Sequence, residues 1–224
     1  MQAKFKERMS SVNTSRWMWR YLTATKLLSL LQTEALYFAP AERQTDSNEG
    51  LYRTLDKESF IFDRSSNILW GKSKSGHRNF ICCWFQSAHE SAAMWQLYSQ
   101  SKSGFAIQCD PKKKKKWLSD DRSHTVDVGP VKYIHTRTEG VYTIFHQQPS
   151  DDDLFWYKDM AFKYEKEWRM IITLSEEQYQ DMTPEDKRGL LVKVKPNELI
   201  ERIYLTPGMS AKNVDLWRGI LSAF

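Results

Sequence analysis

The run Phe80-Ile81-Cys82-Cys83-Trp84-Phe85 is apolar at every position. Side chains alternate between the two faces of a strand, so this run reads as a strand covered on both sides, at the centre of a sheet. A second stretch limits what can lie beside it. Lys163–Met170 reads K-Y-E-K-E-W-R-M and leads into Met170-Ile171-Ile172-Thr173-Leu174, a second buried strand. Before it, Asp151–Phe162 carries Leu154, Phe155, Tyr157, Met160 and Ala161 at spacings that fit one face of a helix. Glu165 and Glu167 therefore fall where a helix hands over to a strand. In extended backbone their spacing turns both carboxylates to one face; Arg169 continues that face, while Tyr164, Lys166 and Trp168 point the other way. Two carboxylates and a guanidinium in one row are costly to bury. Two readings are open: a solvated strand face with an Arg–Glu bridge, or a site that handles developing positive charge, anchored by one carboxylate.

The rest of the chain supplies strands and helices in irregular order. Arg16–Leu22 reads as a strand mixing aromatic and basic residues. Thr23 is placed to cap a helix over Ala24–Gln32, with Leu27, Leu28, Leu30 and Leu31 as its apolar stripe. Leu36–Ala39 is a short strand ended by Pro40. Ala41–Gly50 is a polar loop, Leu51–Phe62 a short helix, and Arg64–Arg78, rich in Ser, Gly and Lys, a surface loop. Ser87, three residues before Glu90, forms a capping-box pattern opening a helix through Tyr98, buried through Ala93, Met94, Leu97 and Tyr98. Gly104–Cys109 is a strand, and Pro111 starts a helix bearing Lys112, Lys113, Lys114, Lys115 and Lys116. Strands follow over Val126–Ile134, broken at Gly129-Pro130, over Gly189–Lys195 and over Ile203–Thr206. The amphipathic helix Ala211–Ala223 turns Val214, Trp217, Ile220 and Leu221 inward. This alternation predicts a single α+β domain over 15–224, with a mixed, largely antiparallel sheet and flanking helices, after a polar and flexible 1–14.

Composition narrows the partners. No apolar run of the chain's 224 residues approaches the about 20 that a membrane span needs. Met1–Ser11 is polar and lacks an apolar signal core, so the chain reads as cytoplasmic and without a membrane partner. Cys82, Cys83 and Cys109 offer neither a disulfide framework nor a zinc spacing with His124, His135 or His146, and read as reduced; no metal is assigned. A net charge of +5 permits a nucleic-acid or nucleotide partner without requiring one. No Gly-rich phosphate loop is present.

Several stretches together resemble the bacterial family known as domain of unknown function 2971. They are Trp19-Arg20-Tyr21, Leu27–Leu31 and Leu36-Tyr37-Phe38; the loop Asp46-Ser47-Asn48-Glu49-Gly50, where the family usually has Asp-Pro-Phe-Glu; Cys83-Trp84-Phe85 with Glu90–Tyr98; Gly104–Ile107; and Tyr164–Arg169. The resemblance runs from about Arg16 to the last helix. It implies a setting in bacterial toxins or antiphage defence. The order of features is also similar to ADP-ribosyltransferases of the Arg–Ser–Glu-x-Glu type. That similarity implies an enzyme that cleaves NAD and transfers ADP-ribose to a protein or nucleic-acid acceptor. Arg20 would bind the diphosphate, Ser87 and Arg169 would join the NAD site, and Trp84 or Tyr21 would stack on nicotinamide. Glu167 would stabilise the positively charged ribose and Glu165 would orient or deprotonate the acceptor. Asp46, Glu49, Glu90 and Trp95 would contact substrate. The similarity names neither the acceptor nor an oligomeric state. It requires Arg20, Ser87, Glu165 and Glu167 to share one nucleotide-sized cleft.

Two further classes are open. Lys112–Lys116 beside Trp117, with Lys72, Lys74 and Arg78, could track a phosphate backbone, and Asp46, Glu49, Glu165 and Glu167 could ligate a metal in a nuclease. The lysine run reads equally as a solvated helix face. In a non-catalytic recognition protein, Glu90, Met94, Trp95 and Tyr98 would only pack a helix, or Trp95 would be exposed as a binding surface.

Overall fold

The computed structural model describes residues 5–7, 16–43, 51–55, 68–72, 76–98, 103–118, 125–134 and 151–224. In chain order the first half holds β1 (Phe5–Glu7), β2 (Trp17–Leu22), α1 (Ala24–Thr33), β3 (Ala35–Pro40), β4 (Leu51–Leu55), β5 (Ile68–Lys72), β6 (Asn79–Ser87), α2 (Ala92–Tyr98) and β7 (Phe105–Cys109). The second half holds α3 (Lys114–Trp117), β8 (Val126–Pro130), β9 (Lys132–Ile134), β10 (Tyr157–Asp159), β11 (Glu167–Thr173), α4 (Glu176–Gln180), β12 (Leu190–Lys193), α5 (Pro196–Leu199), β13 (Arg202–Leu205) and α6 (Ala211–Leu221).

The main sheet has the order β1-β8-β11-β6-β2-β7-β13, with β3 branching from β6 and carrying β12 on its far side. Its pairs are antiparallel except β1 with β8, and the small β9–β10 pair beside it is parallel too. The chain is thus a single α+β domain with a mixed, largely antiparallel sheet. The apolar run lies on β6, at its centre.

Alternation along the strands sorts the side chains into two layers. Phe80, Cys82 and Trp84 of β6 join Trp168, Met170 and Ile172 of β11 on one face, beneath Leu27 and Leu30 of α1, Trp117 of α3 and Leu199 of α5. The opposite face has two clusters. Trp19, Tyr21 and Phe85 pack under Met94 and Trp95 of α2, and Ile81 and Ile171 pack under Phe155 and Trp156.

The sheet forks at β6. Its C-terminal end pairs with β2 through Phe85, Gln86 and Ser87, and its N-terminal end pairs with β3 through Phe80 and Ile81. Between them, among the described residues, Cys82, Cys83 and Trp84 pair only with β11. The strands that splay apart are the two that α1 joins. Thr23 caps α1 by accepting from the Lys26 amide, and Glu34 closes it at φ 48°.

Four expectations are corrected. Leu51–Leu55 is a strand, paired with Ile68–Lys72 out of the expected loop. The helix after Ser87 begins at Ala92, with the Ser91 hydroxyl accepting from the Met94 amide. Ala93, Leu97 and Tyr98 of that helix are exposed rather than buried. Asp151–Phe162 is no continuous α-helix: 3-10 turns at Asp151–Trp156 and Met160–Glu165 flank strand β10. Among the described residues, no helix is long and apolar enough to cross a membrane.

Candidate functional site

The handover to β11 is a sharp turn. Lys166 takes the left-handed conformation at φ 41°, its amide donating to the Lys163 carbonyl and its own carbonyl accepting from Gln86. Glu165 therefore ends a 3-10 turn and Glu167 begins a strand, so the carboxylates are not brought together by a shared extended backbone. Lys158 of β10 joins them, donating to Glu165 Oε2 at 2.6 Å and to Glu167 Oε2 at 3.1 Å. Arg169, on the Glu167 face as its spacing requires, donates from Nε to Glu167 Oε1 at 2.7 Å and from Nη2 to Oε2 at 3.1 Å. Its Nη1 reaches the Phe155 carbonyl. All four side chains are buried, Arg169 completely. The exposed strand face is thus excluded.

Burial pushes the Glu167 carboxyl up, but Arg169, with Lys158 and the Cys83 thiol, overrides it and holds the group at about 2. Tyr133 accepts the Glu167 amide at 2.7 Å. Glu165 is held less fully: beyond Lys158, its Oε1 is met by the Tyr98 hydroxyl at 3.5 Å. Although 43% of the residue is exposed, partial burial at its hydroxyl end, and then the Glu165 charge, raise Tyr98 well above the ordinary phenol range, so it stays protonated and donates.

The network opens on a cavity of about 740 Å³. Glu165, Glu167, Lys158 and Tyr98 line it together with Arg20, Tyr21 and Trp84. Strand register places Trp19 and Phe85 on the face of Glu167, and Arg20, next to Trp19, on the other. The cavity therefore draws its lining from both faces of the sheet, at the fork. Arg20 bridges the fork: Nη1 reaches Cys82 Sγ and Nη2 donates to the Tyr37 carbonyl at 3.1 Å.

The other expected residues divide. Trp84 lies in the cavity wall, but its ring already carries the Arg20 guanidinium 5.6 Å from its centroid and packs on Trp117. Tyr21 is wedged edge-on against Phe85 and Trp95, its hydroxyl accepting from the Ser91 amide. Tyr37 and Tyr98 are the lining rings with the most exposed surface. Ser87 is not in the lining; its hydroxyl accepts from the His89 amide and its carbonyl from the Trp19 indole. Glu90 is exposed and accepts from the Trp95 indole, which is buried rather than a surface ring. Asp46, Glu49 and Lys74 lie outside the described residues, as do His124, His135 and His146.

Lys114 is buried, Lys113 is paired with Glu201, and Lys112, Lys115 and Lys116 are exposed. Arg78 is spent on the Leu174 carbonyl and Glu176. Among the described residues, no group of three or more His, Cys, Asp or Glu is placed to hold a metal. Sequence reasoning missed Lys158, because a single lysine in an apolar and acidic stretch carries no periodic signal. It also missed Lys26, Arg43 and Ser29, which line the same cavity.

Fold and site define an α+β protein with a forked sheet and a buried Lys–Glu–Glu–Arg network opening on a ligand-sized cavity. Residues 94–170 match the model of a family described as a protein of unknown function (DUF2971). The match takes in β7, β8 and the whole Lys158–Arg169 network; the motifs from Trp19 to Phe85 lie outside it. No curated protein and no solved structure matches the chain.

Proposed function

We propose that the cavity binds a nucleotide-like ligand, NAD in the first instance, and that the protein is an ADP-ribosyltransferase-like enzyme. The observation that carries this reading is a single cavity lined by the Glu165–Glu167 pair, by Arg20 and by accessible tyrosines. Its volume of about 740 Å³ suits a cofactor-sized molecule. The donor set also fits NAD, with cations for phosphates, rings for flat bases and carboxylates for a sugar. NAD, when bound, supplies a glycosidic bond whose cleavage builds positive charge on the ribose.

The geometry redistributes the roles within the pair. Glu167 is saturated by Arg169, Lys158 and Cys83, and serves as a fixed anchor that holds Lys158 in place. Among the described residues, Glu165 Oε1 is engaged only by the long Tyr98 contact, and Glu165 is the carboxylate able to meet a developing cation or a ribose hydroxyl. Among the described residues, Arg20 has N–H donors left after Cys82 and Tyr37 for a phosphate oxygen. A recognition module that binds the same ligand without chemistry is the second reading, favoured by the ion pairing that already offsets both carboxylates.

Calorimetry with NAD and an assay for released nicotinamide separate the two. For the enzyme, Glu165→Gln should leave NAD affinity within a few-fold and lower nicotinamide release by about a hundredfold or more. Binding without release by the native protein selects the recognition module. No binding at millimolar NAD ends both.

A further inference from the structure

On its α1–β3 side, every charged residue that lines the cavity among the described residues is a cation: Arg20, Lys26 and Arg43. The carboxylates in the lining, Glu165 and Glu167, are ion-paired to Lys158 and Arg169. Among the described residues, the wall therefore carries an excess of positive charge. The Lys26 ammonium and the Ser29 hydroxyl, one helical turn apart on α1, make no hydrogen bond or ion pair among the described residues. Arg43 Nη1 lies 3.4 Å from the Arg188 carbonyl, which also accepts from Tyr37 at 2.6 Å. That carbonyl thus places Arg43 next to Tyr37, whose own carbonyl holds Arg20.

We infer that Lys26, Ser29 and Arg43, with Arg20 behind them, form an anion-binding subsite that takes the phosphate or diphosphate of the cavity's ligand. A lysine supplies a mobile point charge, an arginine a directional fork and a serine a neutral donor, the mixture that suits phosphate oxygens. The subsite fixes the ligand class as a nucleoside diphosphate or a larger conjugate, not a free nucleoside. It rests on the proposed reading for the cavity being a ligand site, but not on any bond being cleaved there.

The test is calorimetry of the full chain with ADP, inorganic pyrophosphate and adenosine, at two salt concentrations. The native protein should bind ADP and pyrophosphate, more weakly at high salt, and adenosine much less well. Lys26→Ala and Arg43→Ala, both changes to exposed side chains, should each weaken ADP by about tenfold. Lys212→Ala, which removes the same charge from an exposed position on α6, should leave ADP affinity within about twofold. Equal ADP affinity in all three variants overturns the subsite, as does failure of both ADP and pyrophosphate to bind the native chain. ADP binding that depends on Lys26 and Arg43, with no nicotinamide released from NAD, sinks the transferase reading and leaves the subsite standing. NAD cleavage indifferent to both substitutions does the reverse.

Discussion

Arg169 has no exposed surface, and two of its nitrogens are spent on Glu167. Such a pair is worth little over an apolar substitute, yet breaking it strands a buried charge, at a cost of about 3–5 kcal/mol. Glu167→Gln is therefore expected to be strongly destabilising at neutral pH, because Arg169 loses its counter-charge and Lys158 keeps Glu165 but loses Glu167. The pH dependence gives a sharper check. The folded protein holds Glu167 at about 2, against an ordinary 4.5. A depressed carboxyl contributes stability that is complete above its unfolded value and is lost as pH falls through its folded one. On the order of 3 kcal/mol should therefore disappear between about pH 4.5 and 2. Urea unfolding of native protein and Glu167→Gln across that window should show the gap between them closing as pH falls. A constant gap would mean that Glu167 is not held as an anion by its neighbours.

Elements were legible where one short stretch carries its own constraint. Phe80–Phe85 is apolar on both faces and is central β6; Thr23 caps α1 where its sequence places it; Arg169 shares a face with Glu167. Legibility failed where a distant partner decides. Leu51–Leu55 becomes a strand through pairing with Ile68–Lys72, which no local period announces. Asp151–Phe162 has helical spacing, but the Phe155 carbonyl is taken by Arg169 and Tyr157–Asp159 pairs with β9. The buried charges thus overrule helix propensity. The site was half legible for the same reason. The carboxylates and Arg20 stand out in the sequence, whereas Lys158, Lys26 and Arg43 acquire meaning only once the chain closes round the cavity. Gly189 shows how a residue outside the lining shapes the cavity wall. It sits at φ 157° ahead of β12, and a Cβ there would run into the Tyr37 ring. Gly189→Ala is expected to cost about 1–3 kcal/mol and to push Tyr37 off the Arg188 carbonyl. In a Tyr37→Ala background the cost should shrink, and a double-mutant cycle by chemical denaturation measures the coupling. Additive effects would show that the ring and the glycine do not meet.

At the scale of the whole molecule, the cavity exists because β6 is shared by two strands that diverge. Among the described residues, Cys82, Cys83 and Trp84 have no strand on that edge. Arg20 takes the place of one, reaching Cys82 from β2 and the Tyr37 carbonyl on β3 while lying over Trp84. One side chain thus ties the three strands that bound the opening, and its charge faces the ligand space. The two duties separate by substitution. Arg20→Lys keeps the cation but has no planar fork with which to hold both partners. Arg20→Met keeps much of the length and packing and loses both charge and fork. If Arg20 is chiefly a tie, both variants should speed hydrogen exchange of the amides in β2 and β3 to a similar degree, while those of β11 stay protected. If it is chiefly a ligand contact, exchange in the free protein should barely change, and Arg20→Lys should retain more ADP affinity than Arg20→Met. The geometry favours the tie: the guanidinium is already engaged at two corners of the fork before any ligand arrives. Faster exchange in both variants, with ADP affinity falling in parallel, is the expected result. Unchanged exchange in Arg20→Met would show that packing of α1 alone holds the fork.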